Sequence, residues 1–345
     1  MDKSVIFAVA GSGKTTTLIS KLNLENRFLI LTYTDANYEN LKSKVMQEFG
    51  FLPENIKINK YSSFLYSFCF RPFLSLELGT KGVYVDQPPV SASRLPHANI
   101  NYFVNSASKR VYLSRLAKFL EVKGILGEVR SRLEKYFDVL LVDEVQDFAG
   151  HDFNFLKELA KINLNVLLVG DFFQHTYDTS RDGAVNKNLH NDYLKYQKEF
   201  RAAGFNVDLH SLIKSHRCGS EVCKFISDEI GIQIESHAER KVDVHWVTEP
   251  EEAVQIYQCK KTVKLFFSDH HKYSCFSQNW GASKGQDHYD NVCVVVNKTT
   301  YDLYKKGRLS ELASTSRNKF YVACSRARNN LFFVPESLVG RFKKK

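Results

Sequence analysis

The sequence predicts an α/β protein of two domains, each a parallel sheet covered by helices. Short apolar runs, Val5-Ile6-Phe7-Ala8 and Val139-Leu140-Leu141-Val142 among them, alternate along the chain with stretches of helical spacing. Strands separated by helical patterns imply crossover connections and parallel pairing. The length of 345 residues suits two domains that each bury a core. With 43% hydrophobic and 25% charged residues, the composition is that of a globular chain.

In chain order, the first domain is expected over 1–188, with strands near 4–9, 28–33, 56–60, 137–142 and 165–169. Within it, residues 70–136 read as a small insertion. Its first part is irregular, with Gly79, Gly82, Pro88-Pro89 and Pro96. Its second part, 108–136, has Val111-Tyr112, Leu116 and Phe119-Leu120 at helical spacing and reads as helix. The insertion reads either as a contact for DNA or a partner, or as a covering lobe. The second domain is expected over 189–345, with strands near 207–211, 242–247, 263–267, 292–296 and 330–334. A helix beginning near Ser314 is expected to carry Arg326. No internal repeat or low-complexity tract is present.

The first strand opens into Ala8-Val9-Ala10-Gly11-Ser12-Gly13-Lys14-Thr15-Thr16. Strand, glycine-rich loop and helix in this order form a phosphate cradle from backbone N–H groups and a helix N-terminus. Ala10, Gly11, Ser12, Gly13, Lys14, Thr15 and Thr16 are the candidate phosphate contacts. The Lys would reach the β- and γ-phosphates, and the Thr15 hydroxyl would bind Mg²⁺. Ala8 stands where the general pattern has Gly.

A second apolar run ends in Asp143-Glu144-Val145-Gln146-Asp147. Adjacent carboxylates at the end of a buried strand need a compensating cation. Asp143 is therefore the candidate Mg²⁺ ligand, and Glu144 is placed to orient or deprotonate a water. A third run, Val166-Leu167-Leu168-Val169, leads into Gly170-Asp171-Phe172-Phe173-Gln174. The Gln174 amide reads either as a γ-phosphate sensor or as a capping group.

The ordered set of segments resembles a superfamily 1 nucleic-acid motor of the UvrD/Rep/PcrA type. The resemblance runs from residue 5 to residue 333. AVAGSGKT is similar to that family's AGAGSGKT, and LLVDEVQD and LLVGDFFQHTY are similar to its motifs II and III. LILTYTDANYENLKSKV, over 29–45, is similar to motif Ia and places Tyr33 where an aromatic stacks on a base. KYSSF, over 60–64, is a poor copy of TFHSF. SHRC, over 215–218, supplies Arg217, and ASKGQDHYDNVCVVV, over 282–296, supplies Asp287. NKFYVACSRARNNLFF, over 318–333, supplies Arg326.

The resemblance implies two RecA-like parallel-sheet domains with a nucleotide cleft between them. It implies that ATP and Mg²⁺ are the cofactors and that Arg217 and Arg326 act as arginine fingers. A pair of surface salt bridges is the plainer alternative for these arginines. It also implies that Asp287 touches the ribose. Tyr33, Phe64 and Tyr177 are the candidates for stacking on bases, with core packing open for Phe64. The activity implied is an ATP-dependent translocase or helicase on single-stranded DNA, moving 3′ to 5′, with RNA left open. The alternative is a DNA-stimulated ATPase subunit that regulates a partner nuclease, as UvrD-like proteins do in phage-defence pairs such as Gabija. A nucleotide switch that is no motor is a third class.

Three departures stand out. The family's Gln segment upstream of the phosphate loop has no counterpart in Met1-Asp2-Lys3-Ser4, so weak base selectivity is expected. The Trp that follows motif III is replaced by Asp178-Thr179-Ser180. The large insertion between the arginine segments is reduced to 219–281, so a stripped-down motor is expected.

The net charge of +10 and the sequence pI near 9.1 fit a polyanionic partner. The terminal Lys343-Lys344-Lys345 reads as a tail. No run approaches the length of a membrane span, and the first apolar run leads straight into the phosphate loop rather than a cleavage site. Seven cysteines without paired spacing argue against a disulfide framework or a zinc ribbon. A reducing cytoplasm is the expected compartment.

Overall fold

The computed structural model describes residues 1–176 and 184–344. The chain forms two compact units. The first holds residues 1–6, 15–170 and a stretch ending at Asp208. The second holds Phe7–Lys14, Asp171–Thr176 and the chain from Leu209 onward.

The first unit is built on a six-stranded sheet in the order Ile56–Lys60, Phe28–Thr32, Val139–Val142, Asn165–Gly170, Lys3–Phe7, Asn206–Asp208. The first four strands pair in parallel, as do the last two. Phe28, Ile30 and Leu141 lie in one buried cluster with Leu18, Leu41 and Val45 from the covering helices. Each such side chain contributes about 1.5–3 kcal/mol by leaving water. Register sets Leu31 opposite Val142, and Val142 opposite Leu168. Asp143 therefore leaves the sheet level with Thr32, and its amide donates to the Leu31 carbonyl at 2.8 Å. Chemistry-bearing residues collect at the carboxyl ends of strands, as in open α/β sheets generally.

The second unit has a five-stranded parallel sheet in the order Val244–Trp246, Leu331–Pro335, Asn291–Val296, Thr262–Phe266, Ser277–Asn279. Helix Ser314–Cys324 packs within this unit with Phe320 through Cys324 fully buried. A helix segment buried on all sides is a core segment, and FYVAC, Phe320 to Cys324, is one. Two parallel sheets with helical crossovers make the fold α/β of the RecA-like kind.

Three elements differ from expectation. The strand expected at 207–211 in the second domain is Asn206–Asp208, and it pairs with Lys3–Phe7 in the first sheet. The helix expected over 108–136 is a strand, Arg110–Tyr112, followed by helices Leu116–Val122 and Leu126–Tyr136. Gly124, at φ +70°, breaks the helix between them. Arg326 lies two residues past the end of its helix rather than within it. The insertion also contains a small three-stranded sheet, Val83–Tyr84, Arg110–Tyr112 and Val104–Asn105, too short to show as apolar periodicity.

An aromatic cluster fills the first unit beside Tyr33. The Tyr33 ring stacks on Tyr61 at 5.9 Å, and Tyr61 meets Phe148 edge-on at 4.7 Å. The buried Tyr61 hydroxyl donates to Asp152 Oδ1 at 3.2 Å. Burial lifts the Asp152 carboxyl to about 7, against the opposing pull of the Tyr61 hydrogen bond. The folded state then keeps a proton that the unfolded chain releases near its ordinary value of about 4. Stability should therefore fall as pH rises from about 4 to about 7. Asp152→Asn should flatten that decline in a series of melting temperatures; an unchanged slope would place the proton elsewhere.

Candidate functional site

The glycine-rich loop follows strand Lys3–Phe7 and ends at helix Lys14–Ile19. Gly11 and Gly13 take φ of +71° and +87°, where a side chain is strained. Within the second unit, a Cβ on Gly11 would sit 2.7 Å from Arg217 Cβ and 2.8 Å from Ser215 Oγ. Glycine is thus required twice, by conformation and by contact. The loop is fastened to the segment before Arg217 through its backbone. The Val9 amide donates to the Leu212 carbonyl at 3.0 Å, and the His216 amide donates to the Gly11 carbonyl at 2.8 Å.

Not every loop residue serves as expected. The Ala10 amide donates to the Tyr321 hydroxyl at 2.8 Å, so it is committed to a side chain rather than offered to a phosphate. The buried Ser12 hydroxyl donates to the Val9 carbonyl at 2.8 Å and closes the turn. Lys14 and Thr15 are half-buried and Thr16 is exposed, all in the first turn of the following helix.

Arg217 and Arg326 lie together in the second unit. Arg217 Nη2 is 2.6 Å from Asp287 Oδ1, and Arg326 Nη1 is 3.2 Å from the same oxygen. Arg217 Nη1 also donates to the Ser325 carbonyl at 3.2 Å, and Arg326 Nε donates to the Val322 carbonyl at 3.1 Å. Arg326 is 1% exposed. Burial, and then the like charge of Arg217, lowers its guanidinium to about 10, with Asp287 opposing the shift. It remains a cation at neutral pH. Asp287, expected at a ribose, spends Oδ1 on two guanidinium groups. These are not surface salt bridges of the ordinary kind, since the second cation is wholly desolvated.

Gln174 is buried and its Nε2 donates to Asp171 Oδ2 at 2.8 Å. Asp171 Oδ1 accepts the Phe173 amide at 3.1 Å, and Oδ2 also accepts the Tyr321 hydroxyl at 2.9 Å. Tyr321 was not singled out from the sequence, although it stands inside the YVACSRAR segment. Its signal was a hydroxyl in a run that is otherwise core.

In the first unit, Asp143 is buried at 3% exposure, and its Oδ1 accepts the Glu144 amide at 3.0 Å. Glu144 takes φ 56° and ψ 48°, a left-handed conformation that a non-glycine residue holds at a cost of about 1–3 kcal/mol. Gln146 Nε2 donates to Glu144 Oε2. Gly170 allows this turn to approach, since a Cβ there would meet Val145 Cγ1 at 2.7 Å. Asp143 and Thr15 supply hard oxygen donors, the class that Mg²⁺ takes. Among the described residues no group of three or more His, Cys, Asp or Glu could hold a metal by itself.

The stacking candidates part company. Tyr33 is half-buried, with Phe148 at its edge at 5.9 Å. Phe64 is fully buried and stacks on Phe68 at 5.4 Å, so it belongs to the core and is closed to a base. Tyr177 lies outside the described residues.

The model of the viral superfamily 1 RNA helicase core domain matches residues 105–335, well over half of the chain. The chain belongs to that family. The matched span of this helicase core includes Asp143, Glu144, Gln174, Arg217, Asp287 and Arg326. Among solved structures, the complex of arterivirus nonstructural protein 10, a helicase, with DNA aligns at TM-score 0.51 and 15% identity over 98% of this chain. A crystal structure of the same arterivirus helicase aligns at TM-score 0.49 and 15% identity over 99% of this chain. The chain spans 62% of the arterivirus chain in each case. At that identity the likeness concerns the fold. No curated protein matches the sequence. Among the described residues no helix is long and apolar enough to cross a membrane.

Gly11→Ala should damage this helicase core on two counts, a strained φ and a forced shift of Arg217. Nucleotide affinity should fall at least tenfold, about 1.4 kcal/mol, with a lowered melting temperature. Equilibrium binding of a non-hydrolysable nucleotide checks this, and unchanged affinity would contradict it.

Proposed function

We propose that this helicase core hydrolyses a nucleoside triphosphate, ATP by the resemblance of its motifs, and uses the reaction to move along single-stranded nucleic acid. The observation that carries the reading is the convergence of Arg217 and Arg326 on one anionic oxygen, within the unit that holds the Gly11 loop. Phosphoryl transfer to water calls for positioning and charge neutralisation rather than covalent chemistry. Two preorganised guanidinium groups that already hold one carboxylate oxygen are suited to that need.

The remaining roles follow from residue chemistry. Gly11, Gly13 and Lys14 bind phosphates, and Gln174 lies against the γ-phosphate. Thr15 and Asp143 hold Mg²⁺, which when bound neutralises phosphate charge. Glu144 orients or deprotonates the attacking water; its left-handed backbone and the Gln146 hydrogen bond fix the carboxylate's direction. Asp287 serves as counter-charge to the arginines. Tyr33 offers a ring to a base.

The UvrD/Rep/PcrA resemblance favours DNA and 3′ to 5′ movement. The matched family, described by RNA, favours an RNA track as the second reading. The regulatory alternative, an ATPase subunit that governs a partner nuclease, is distinguished by a nuclease that co-purifies with the chain.

Turnover should rise with single-stranded nucleic acid and should be measured with DNA and RNA of matched sequence. Affinity for the strand should fall steeply with salt as counterions are released. Lys14→Ala should lose nucleotide binding, whereas Glu144→Gln should keep binding and lose turnover by at least about a hundredfold. Turnover indifferent to both strands would remove the translocase reading and leave a nucleotide switch.

A further inference from the structure

The Tyr321 hydroxyl sits at a junction that the roles above leave unused. It is fully buried. It accepts the Ala10 amide of the phosphate loop at 2.8 Å and donates to Asp171 Oδ2 at 2.9 Å. That same oxygen accepts Gln174 Nε2 at 2.8 Å. One continuous chain of hydrogen bonds thus runs from loop amide to phenol to carboxylate to the Gln174 amide, all within the second unit.

Direction along the chain is fixed by chemistry. A backbone N–H can only donate, so the phenol oxygen is the acceptor at Ala10. Its own proton then goes to Asp171. Burial, and next the Asp171 charge, hold the phenol well above its ordinary value, so it stays protonated. With Nε2 held by Asp171, Gln174 has one amide edge pinned and cannot rotate without breaking a buried bond. Tyr321 also lies on helix Ser314–Cys324, where its neighbour Val322 accepts Arg326 Nε at 3.1 Å. A displacement of the loop therefore reaches Gln174 through the phenol.

We infer that Tyr321 is a positioning residue whose hydroxyl couples the phosphate loop to Gln174. The inference rests on the reading of the site as a nucleic-acid-stimulated nucleotidase. A purely structural phenol would fill space and satisfy two buried groups. A positioning phenol acts through Gln174, and that dependence is measurable.

Tyr321→Phe keeps the ring and its edge contact with Phe173 and deletes only the hydroxyl. Turnover stimulated by single strands should fall about tenfold or more, while affinity for a non-hydrolysable nucleotide stays within about threefold, a loss confined to the chemical step. In the double variant Tyr321→Phe/Gln174→Ala, turnover should equal that of Gln174→Ala alone, because residues acting as one unit are not additive. Losses that multiply, or Tyr321→Phe turning over at the wild-type rate, would overturn the assignment. If Tyr321→Phe does not fold, Asp171→Asn is crossed with Gln174→Ala instead, with the same expected non-additivity and the same overturning result. A wild-type chain that no strand stimulates would instead remove the nucleotidase reading itself, so the two failures are distinct.

Discussion

Two guanidinium groups share a single carboxylate oxygen, and the rest of the second unit is arranged to make that tolerable. Bringing two cations together in a desolvated place is unfavourable, and Arg326 at 1% exposure has no water to screen it. Asp287 supplies the charge, and backbone carbonyls of Ser325, Val322 and Gln286 accept further N–H groups. Asp287 itself is 58% exposed, so water shares in compensating the charges on its side of the array. The helix Ser314–Cys324, buried along its last half, holds this array rigid. Gly11, whose Cβ would collide with Arg217, is the residue that lets the loop lie against it.

Strands that are buried on both faces were readable because they are continuous apolar runs. Phe28–Thr32, Val139–Val142 and Asn291–Val296 fall where those runs fall. Short strands such as Ser277–Asn279 and Arg110–Tyr112 were not readable, because few residues carry no period and tertiary pairing decides them. Asn206–Asp208 shows the limit of chain order: its apolar pattern marks a strand, but only pairing with Lys3–Phe7 tells which sheet it joins. The site was legible as far as motifs carry residue identity. Phe64, for which core packing was open, and Ala10 show one limit: sequence shows what a group can do and not what already occupies it. Phe64 is packed against Phe68, and the Ala10 amide is taken by Tyr321.

The first unit carries a different kind of constraint. Asp143 and Glu144 leave the end of Val139–Val142, and Glu144 is held in a left-handed conformation with Gly170 giving room for the turn that follows. Backbone strain of this kind persists only where the surrounding structure over-determines it. Tyr33 leaves the neighbouring strand and rests on Tyr61, whose hydroxyl is anchored by Asp152. A half-buried ring on a rigid aromatic base is suited to sequence-tolerant stacking. Acid pair and ring thus emerge from adjacent strands of one sheet.

The most direct test is the turnover of Arg326→Ala in the presence of single-stranded nucleic acid, with folding checked by circular dichroism. If the buried guanidinium stabilises charge on a transferring phosphoryl group, turnover should fall by about 10³-fold or more while the nucleotide is still bound. A folded Arg326→Ala chain that turns over at close to the wild-type rate would contradict the account, leaving the arginine pair as architecture alone.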